Sequence, residues 1–149
     1  MNIRKRKQAP RGLRNHNPLN IRKSDQLWKG QTGNDGAFCI FLENKWGYRA
    51  AFRLLRTYNN VYHIYTVREI ISRWAPPSDG NNTRGYIQRV CEMACLRETD
   101  IIVAASHDVE QQENVKLMVA AMACVENDCR EEMIDMREVD AGYELAFGK

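Results

Sequence analysis

Apolar positions change rhythm once along this chain. Residues 12–36 are rich in turn formers, with "NHNP", "KSD" and "KGQTGNDG", and only isolated apolar residues such as Leu13, Leu19, Ile21, Leu27 and Trp28 can pin them to a core. "AFCIF", residues 37–41, is a short apolar run suited to one strand of a small sheet or hairpin. From there the period is helical. Residues 46–60 place Trp46, Ala50, Leu54 and Tyr58 at i, i+4 spacing, with Ala51 and Leu55 widening the stripe. Residues 66–75 open on Thr66 and Glu69, a capping-box pattern, and stop at Pro76 and Pro77. Residues 81–96 offer Asn82 or Thr83 as a cap and Tyr86, Ile87, Val90, Met93 and Ala94 as an apolar face. Residues 110–127 form the most apolar segment, and residues 131–147 complete the set. The pattern predicts a mainly α (α+β) domain with a small β element near residues 27–42.

Length and charge refine this picture. The 149 residues suit one domain, read as a basic flexible tail over 1–10 and a single domain over 11–149. From Met1 to Gly30 nine Lys and Arg face one acid, Asp25, which leaves 13 basic and 18 acidic residues beyond. A basic front implies an anionic partner, nucleic acid or a wall polymer, or else a solvated tail. No continuous apolar core follows the first charges and no run approaches a membrane span, so the expectation is synthesis in the cytoplasm without a signal peptide. Five cysteines without a CxxC and three scattered histidines argue for buried free thiols and against disulfides, metal or cofactor.

One carboxylate stands out. On the 110–127 helix Val115, Met118, Val119, Met122 and Val125 share a face that Glu126 continues. A carboxyl in apolar surroundings loses hydration, so its pKa rises and it can hold a proton near neutral pH, as a general acid must. The plain alternatives are a solvated helix end or an ion pair with Arg130. Glycoside cleavage commonly uses a second carboxylate, and Asp25, Asp35 and Glu43 are the candidates, none favoured by spacing.

"RGLRNHNPLNIRKSDQLWKG", "FCIFLENKWGYRAAFRLLRTY" and "TVREIISRWAPPSDGNNTRGYIQRV" resemble, in order and spacing, the phage and prophage virion-associated lysozyme-like proteins, whose pattern runs RGxRNNNPxNI, W-x-G, F-x-x-F, WGxRA, RWAPP and N-x-T-x-x-Y. The likeness covers about residues 11–130. "NPLNIRKSDQLWKG" is also similar to the segment that follows the acid helix in glucosaminidases and lytic transglycosylases, whereas "LMVAAMACVEND" resembles the glutamate helix itself. The resemblance therefore implies a circularly permuted lysozyme-like fold with Glu126 as catalytic acid. Two departures from the pattern are His16 in "NHNP" and Asp128 in "END", where the family has Asn and Gly.

The expectation is a peptidoglycan glycan-strand hydrolase, a glucosaminidase or muramidase or a lytic transglycosylase, with Glu126 as single acid and base. Asn15, Asn17, Asn20, Trp28 and Tyr86 are the substrate-binding candidates, since amides and aromatic faces suit N-acetyl groups and sugar rings. Trp74, ending the stripe of Ile70 and Ile71, is assigned to the core. Such a protein reaches the wall after lysis or delivery, or as part of a virion. The alternative is an inactive structural or glycan-binding protein of a phage-like particle, partnered by phage structural proteins. Nucleic-acid binding is disfavoured, because the turn between residues 75 and 82 is too long and proline-rich for a helix–turn–helix.

Overall fold

A computed structural model describes residues 9–148; residues 1–8 of the expected basic tail lie outside the described residues. A short helix α1 (Arg11–Arg14) leads into the Asn-rich loop and a hairpin of β1 (Gln31–Asn34) and β2 (Cys39–Phe41). Helices α2 (Asn44–Asn60), α3 (Val67–Trp74), α4 (Thr83–Ala94), α5 (Val109–Glu126) and α6 (Met136–Phe147) follow, with 3-10 turns η1 (Pro77–Asp79) and η2 (Glu131–Met133) between them. The fold is mainly helical with a two-stranded antiparallel sheet. No described helix is long and apolar enough to cross a membrane.

The hairpin pairs Gln31 with Phe41 and Asn34 with Cys39, around a bulge between Gln31 and Gly33. Its turn is closed by Asp35, whose Oδ1 accepts the amides of Ala37 at 3.0 Å and Phe38 at 2.8 Å. Those bonds, led by Phe38, hold the Asp35 carboxyl down to about 2.

Helix α5 is the centre of the molecule. Seven consecutive residues, Met118 to Cys124, are buried, so two full turns are enclosed on every side. The expected single apolar face is thus corrected: α4 covers one flank, and α6 and α2 also touch the helix. Helices α2 and α6 approach closely because Gly142 has no side chain; a Cβ there would fall 2.4 Å from the Tyr48 Cβ. On α2 the core side is Tyr48, Ala51, Phe52 and Leu55, whereas Trp46, Leu54 and Tyr58 are only partly buried. Of the predicted stripe, Ala50, Ala51 and Leu55 lie in the core and Trp46, Leu54 and Tyr58 at the edge of the buried face.

Three other expectations are corrected. The helix expected over 131–147 breaks at Ile134, because the Asp135 side chain caps a new helix by accepting the Arg137 amide at 2.9 Å. The thiols are free but not uniformly buried: Cys91 is half-buried and Cys95, in left-handed conformation at the end of α4, is exposed. Trp74 is half-buried rather than core, with its ring edge-to-face on Tyr58 at 6.1 Å.

Candidate active site

The site is built where α5 stops. The Cys129 amide donates to the Cys124 carbonyl at 3.1 Å and the Asp128 amide to the Val125 carbonyl at 3.2 Å, a Schellman closure with Asp128 left-handed at φ 46°. Glu126 therefore occupies the last helical position, where the negative end of the macrodipole disfavours a further negative charge. Remaining carbonyls of that end find partners in the N-terminal loop. Asn127 Nδ2 donates to Ala123 and Pro18 carbonyls at 2.8 Å each, and its Oδ1 accepts the Leu13 amide at 3.2 Å. Gly12 makes this closeness possible, since a Cβ there would stand 2.5 Å from Asn127 Oδ1 and 2.9 Å from Asn20 Oδ1.

Two donors hold the Glu126 carboxylate. Asn20 Nδ2 reaches both Oε1 at 3.1 Å and the Glu126 backbone carbonyl at 3.2 Å, while the Tyr86 hydroxyl donates to Oε2 at 2.9 Å. Burial pushes the Glu126 carboxyl above its ordinary 4.5, and these two bonds, which favour the ionised form, only partly offset that. Burial, and then the Glu126 charge, keep the Tyr86 phenol well above its usual range, so it is a neutral hydroxyl in any working solution. The proton of Glu126 belongs on Oε2. Asn20 presents only a donor to Oε1, whereas Tyr86 can turn its hydrogen to the Met122 carbonyl at 3.4 Å and accept from Oε2 instead.

Glu126 and Asn20 open onto a cleft of about 480 Å³ walled by Trp28, Phe38, Tyr58 and Trp74. Aromatic faces beside a polar floor are the arrangement that stacks on a sugar ring while amides and acids read its hydroxyls. Among the described residues, no group of His, Cys, Asp and Glu is placed to hold a metal ion.

No family model matches the chain. Protein P5 of Pseudoalteromonas phage PM2 is 32% identical over 145 residues, a match spanning 94% of this chain and 84% of the phage protein. The chain belongs to that phage protein's family. Because the match takes in nearly the whole chain, the Asn-rich loop and the end of α5 both fall inside it.

In this member of the P5 family the structure divides the sequence candidates into three groups. Glu126, Asn20 and Trp28 line the cleft. Tyr86 is buried behind the acid and reaches it through its hydroxyl. Asn15 and Asn17 do not face the cleft, and the lining role expected for them is withdrawn. Asn17 is fully buried, its Nδ2 donating to the Ile21 and Cys39 carbonyls and its Oδ1 accepting the Ile21 amide, all at 2.9 Å. Asn15 Nδ2 is taken by Asp35 at 3.0 Å. These amides knit the loop to the hairpin because an irregular segment must satisfy its backbone somewhere.

The candidate second acids fare similarly: Asp35 closes the hairpin turn, Glu43 pairs with Lys45 at 3.4 Å, and Asp25 is exposed outside the cleft lining. Arg130 lies 3.9 Å from Glu132, so the pairing of Glu126 with Arg130 is not seen. Sequence reasoning missed Asp79, the cleft's other carboxylate, and Asn127. The signal for Asp79 was "PPSDG", a helix stop followed by a 3-10 turn that carries a carboxyl to the rim. Asn127 stood next to the acid in "VEND", where only the acid drew notice.

Proposed function

We propose that this chain is a phage peptidoglycan glycan-strand hydrolase, a glucosaminidase or muramidase or a lytic transglycosylase, with a circularly permuted lysozyme-like fold. The observation that carries this reading is Glu126: a carboxyl with a raised pKa, held by Asn20 and Tyr86, at the floor of an aromatic-walled cleft. Protonated on Oε2, it gives its proton to the glycosidic oxygen as the bond to the anomeric carbon breaks. The resulting carboxylate then accepts a proton from the attacking hydroxyl, of water in a hydrolase or of the substrate's own muramic acid in a transglycosylase. Tyr86 and Asn20 stabilise that carboxylate with two donated hydrogen bonds. The contact of the α5 end with the Asn-rich loop supports the permuted arrangement, since acid and loop meet in space although their order in the chain is reversed.

Digestion of purified peptidoglycan with the wild type and Glu126→Gln, with products identified by mass spectrometry, tests the reading. Soluble glycan from the wild type and none from the variant is expected. Asp79→Asn separates the mechanisms: a single-acid route survives it, whereas a loss of 100-fold or more assigns Asp79 to activating water. Release of glycan by Glu126→Gln at the wild-type rate overturns the proposal.

A second reading has its own observation. Asn20 also bonds the Glu126 backbone, and both donors suit a permanently ionised carboxylate that locks the loop to α5. In a structural or glycan-binding component of a phage particle this lock would be the residue's whole purpose. It predicts wall binding without cleavage, and a Glu126→Gln variant less stable than the wild type near neutral pH.

A further inference from the structure

The cleft does not end at Tyr58. A second trough of about 880 Å³ shares Gln26, Trp28, Leu54, Tyr58, Arg73 and Pro76 with it, so the two make one elongated groove. Its ends differ in charge. Glu126 and Asp79 line the first trough together with Arg22, whereas Arg53 and Arg56 line only the second, which has no acid; Arg73 stands between and lines both.

These three arginines are held in place by aromatic rings and a carbonyl rather than by carboxylates of the described residues. The Arg73 guanidinium stands over the Tyr62 ring, 3.7 Å from its centroid, and 5.3 Å from that of Tyr58. Arg53 donates to the Ala146 carbonyl at 3.2 Å, and Arg56 stands over Phe147 at 5.6 Å. None of the three forms an ion pair with a carboxylate among the described residues. Arg49, Arg53 and Arg56 also stand at i, i+4 and i+7 on α2, a like-charge ladder that works against the helix. Burial and then the charges of Arg53 and Arg56 lower the Arg49 pKa, a sign that the repulsion is felt. Guanidiniums held by rings and a carbonyl, with no carboxylate partner among the described residues, and lining a shared groove are placed to meet anions, and their planar forks match carboxylates.

We propose that Arg53, Arg56 and Arg73 form an anion subsite that takes the carboxylates borne by side groups of a glycan strand lying in the groove. The inference rests on the glycan-strand reading above and narrows it: the ligand is an acidic glycan, recognised by its charge at a distance from Glu126. A neutral polysaccharide of the same sugars would stack on Trp28 and Tyr58 but leave the far trough unfilled.

Binding tests this without requiring turnover. Full-length protein in the Glu126→Gln form is sedimented with purified peptidoglycan, either native or with its carboxyls amidated by carbodiimide and ammonia. Native walls are expected to bind about tenfold more tightly than amidated ones. The preference should weaken as salt rises and disappear in Arg53→Gln/Arg56→Gln. Arg73→Gln, whose side chain is exposed, gives the same answer should the double variant lose its fold, as judged by circular dichroism. Equal binding to native and amidated walls overturns the subsite. So does an unchanged preference in a folded variant, or an oligonucleotide that binds the groove more tightly than native wall and depends on the same arginines. The two readings separate cleanly. Carboxylate-dependent binding by a wild type that releases no glycan sustains the subsite and ends the hydrolase; cleavage indifferent to amidation does the reverse.

Discussion

At single residues, the site trades stability for position. Folding raises the Glu126 pKa, so the native state holds this proton more tightly than the unfolded chain does. Its contribution to stability is complete below about pH 4.5, the unfolded value, and declines as pH rises through the folded value. Glu126→Gln removes that cost while keeping an acceptor for Asn20 and a donor for Tyr86, so its Tm at pH 7 should exceed that of the wild type. About 1 kcal/mol moves the Tm of a chain this long by roughly 2–4 °C, within reach of scanning calorimetry. The difference should close as pH falls toward 4. If the carboxyl is the catalytic acid, kcat/KM falls as pH rises through the same group.

Asp128 and His16 make a different point. Both departures from the resembled pattern occupy left-handed backbone, at φ 46° and 50°. Asp128 is fully exposed, and its nearest cation, Arg89, stands 3.9 Å away in water, where an ion pair contributes little. Asp128→Gly is therefore expected to stabilise the protein by about 0.5 kcal/mol in urea denaturation, relief of the left-handed strain outweighing the added chain entropy. Asn17→Ala should do the opposite. It leaves the Cys39 carbonyl and the Ile21 amide without partners in the core, while the Ile21 carbonyl keeps the Cys39 amide, a loss of about 2 kcal/mol or more, seen as a lower urea midpoint.

Helices were readable wherever one residue type forced the outcome. Thr66 and Glu69 form the reciprocal capping box expected of them, and Pro76 follows the helix they begin. Thr66→Ala should lower stability by about 1 kcal/mol while leaving the cleft unchanged, a result that urea denaturation and the native tryptophan fluorescence can check together. The misreadings share one cause. Periodicity reports which residues are apolar, not how many neighbours an element has. Helix α5 read as one-faced because Ala120, Ala121 and Ala123 carry little weight in a stripe, yet their small size is what lets neighbours close in on every side. Leu54, Tyr58 and Trp74 read as core because half-buried apolar side chains that line a groove have the same spacing as fully buried ones. The Asn-rich loop was legible as special but not in its division of labour, since Asn17 and Asn20 differ only in what lies across from them.

At the scale of the molecule, every contact that completes the site joins distant parts of the chain. Asn20 to Glu126, Leu13 to Asn127 and Asn127 to Pro18 are separated by 106, 114 and 109 positions. Contacts of such separation bear the full entropy of loop closure and tend to form late. The Leu13 amide should therefore gain exchange protection only in the last phase of refolding, after the amides of α4 and α5, as pulse-labelled hydrogen exchange can follow. Time thus becomes a property of this fold. On the ribosome the Asn-rich loop emerges 106 positions ahead of the carboxyl that Asn20 holds, so a chain cut short before residue 126 has the loop amide and no acid for it to meet.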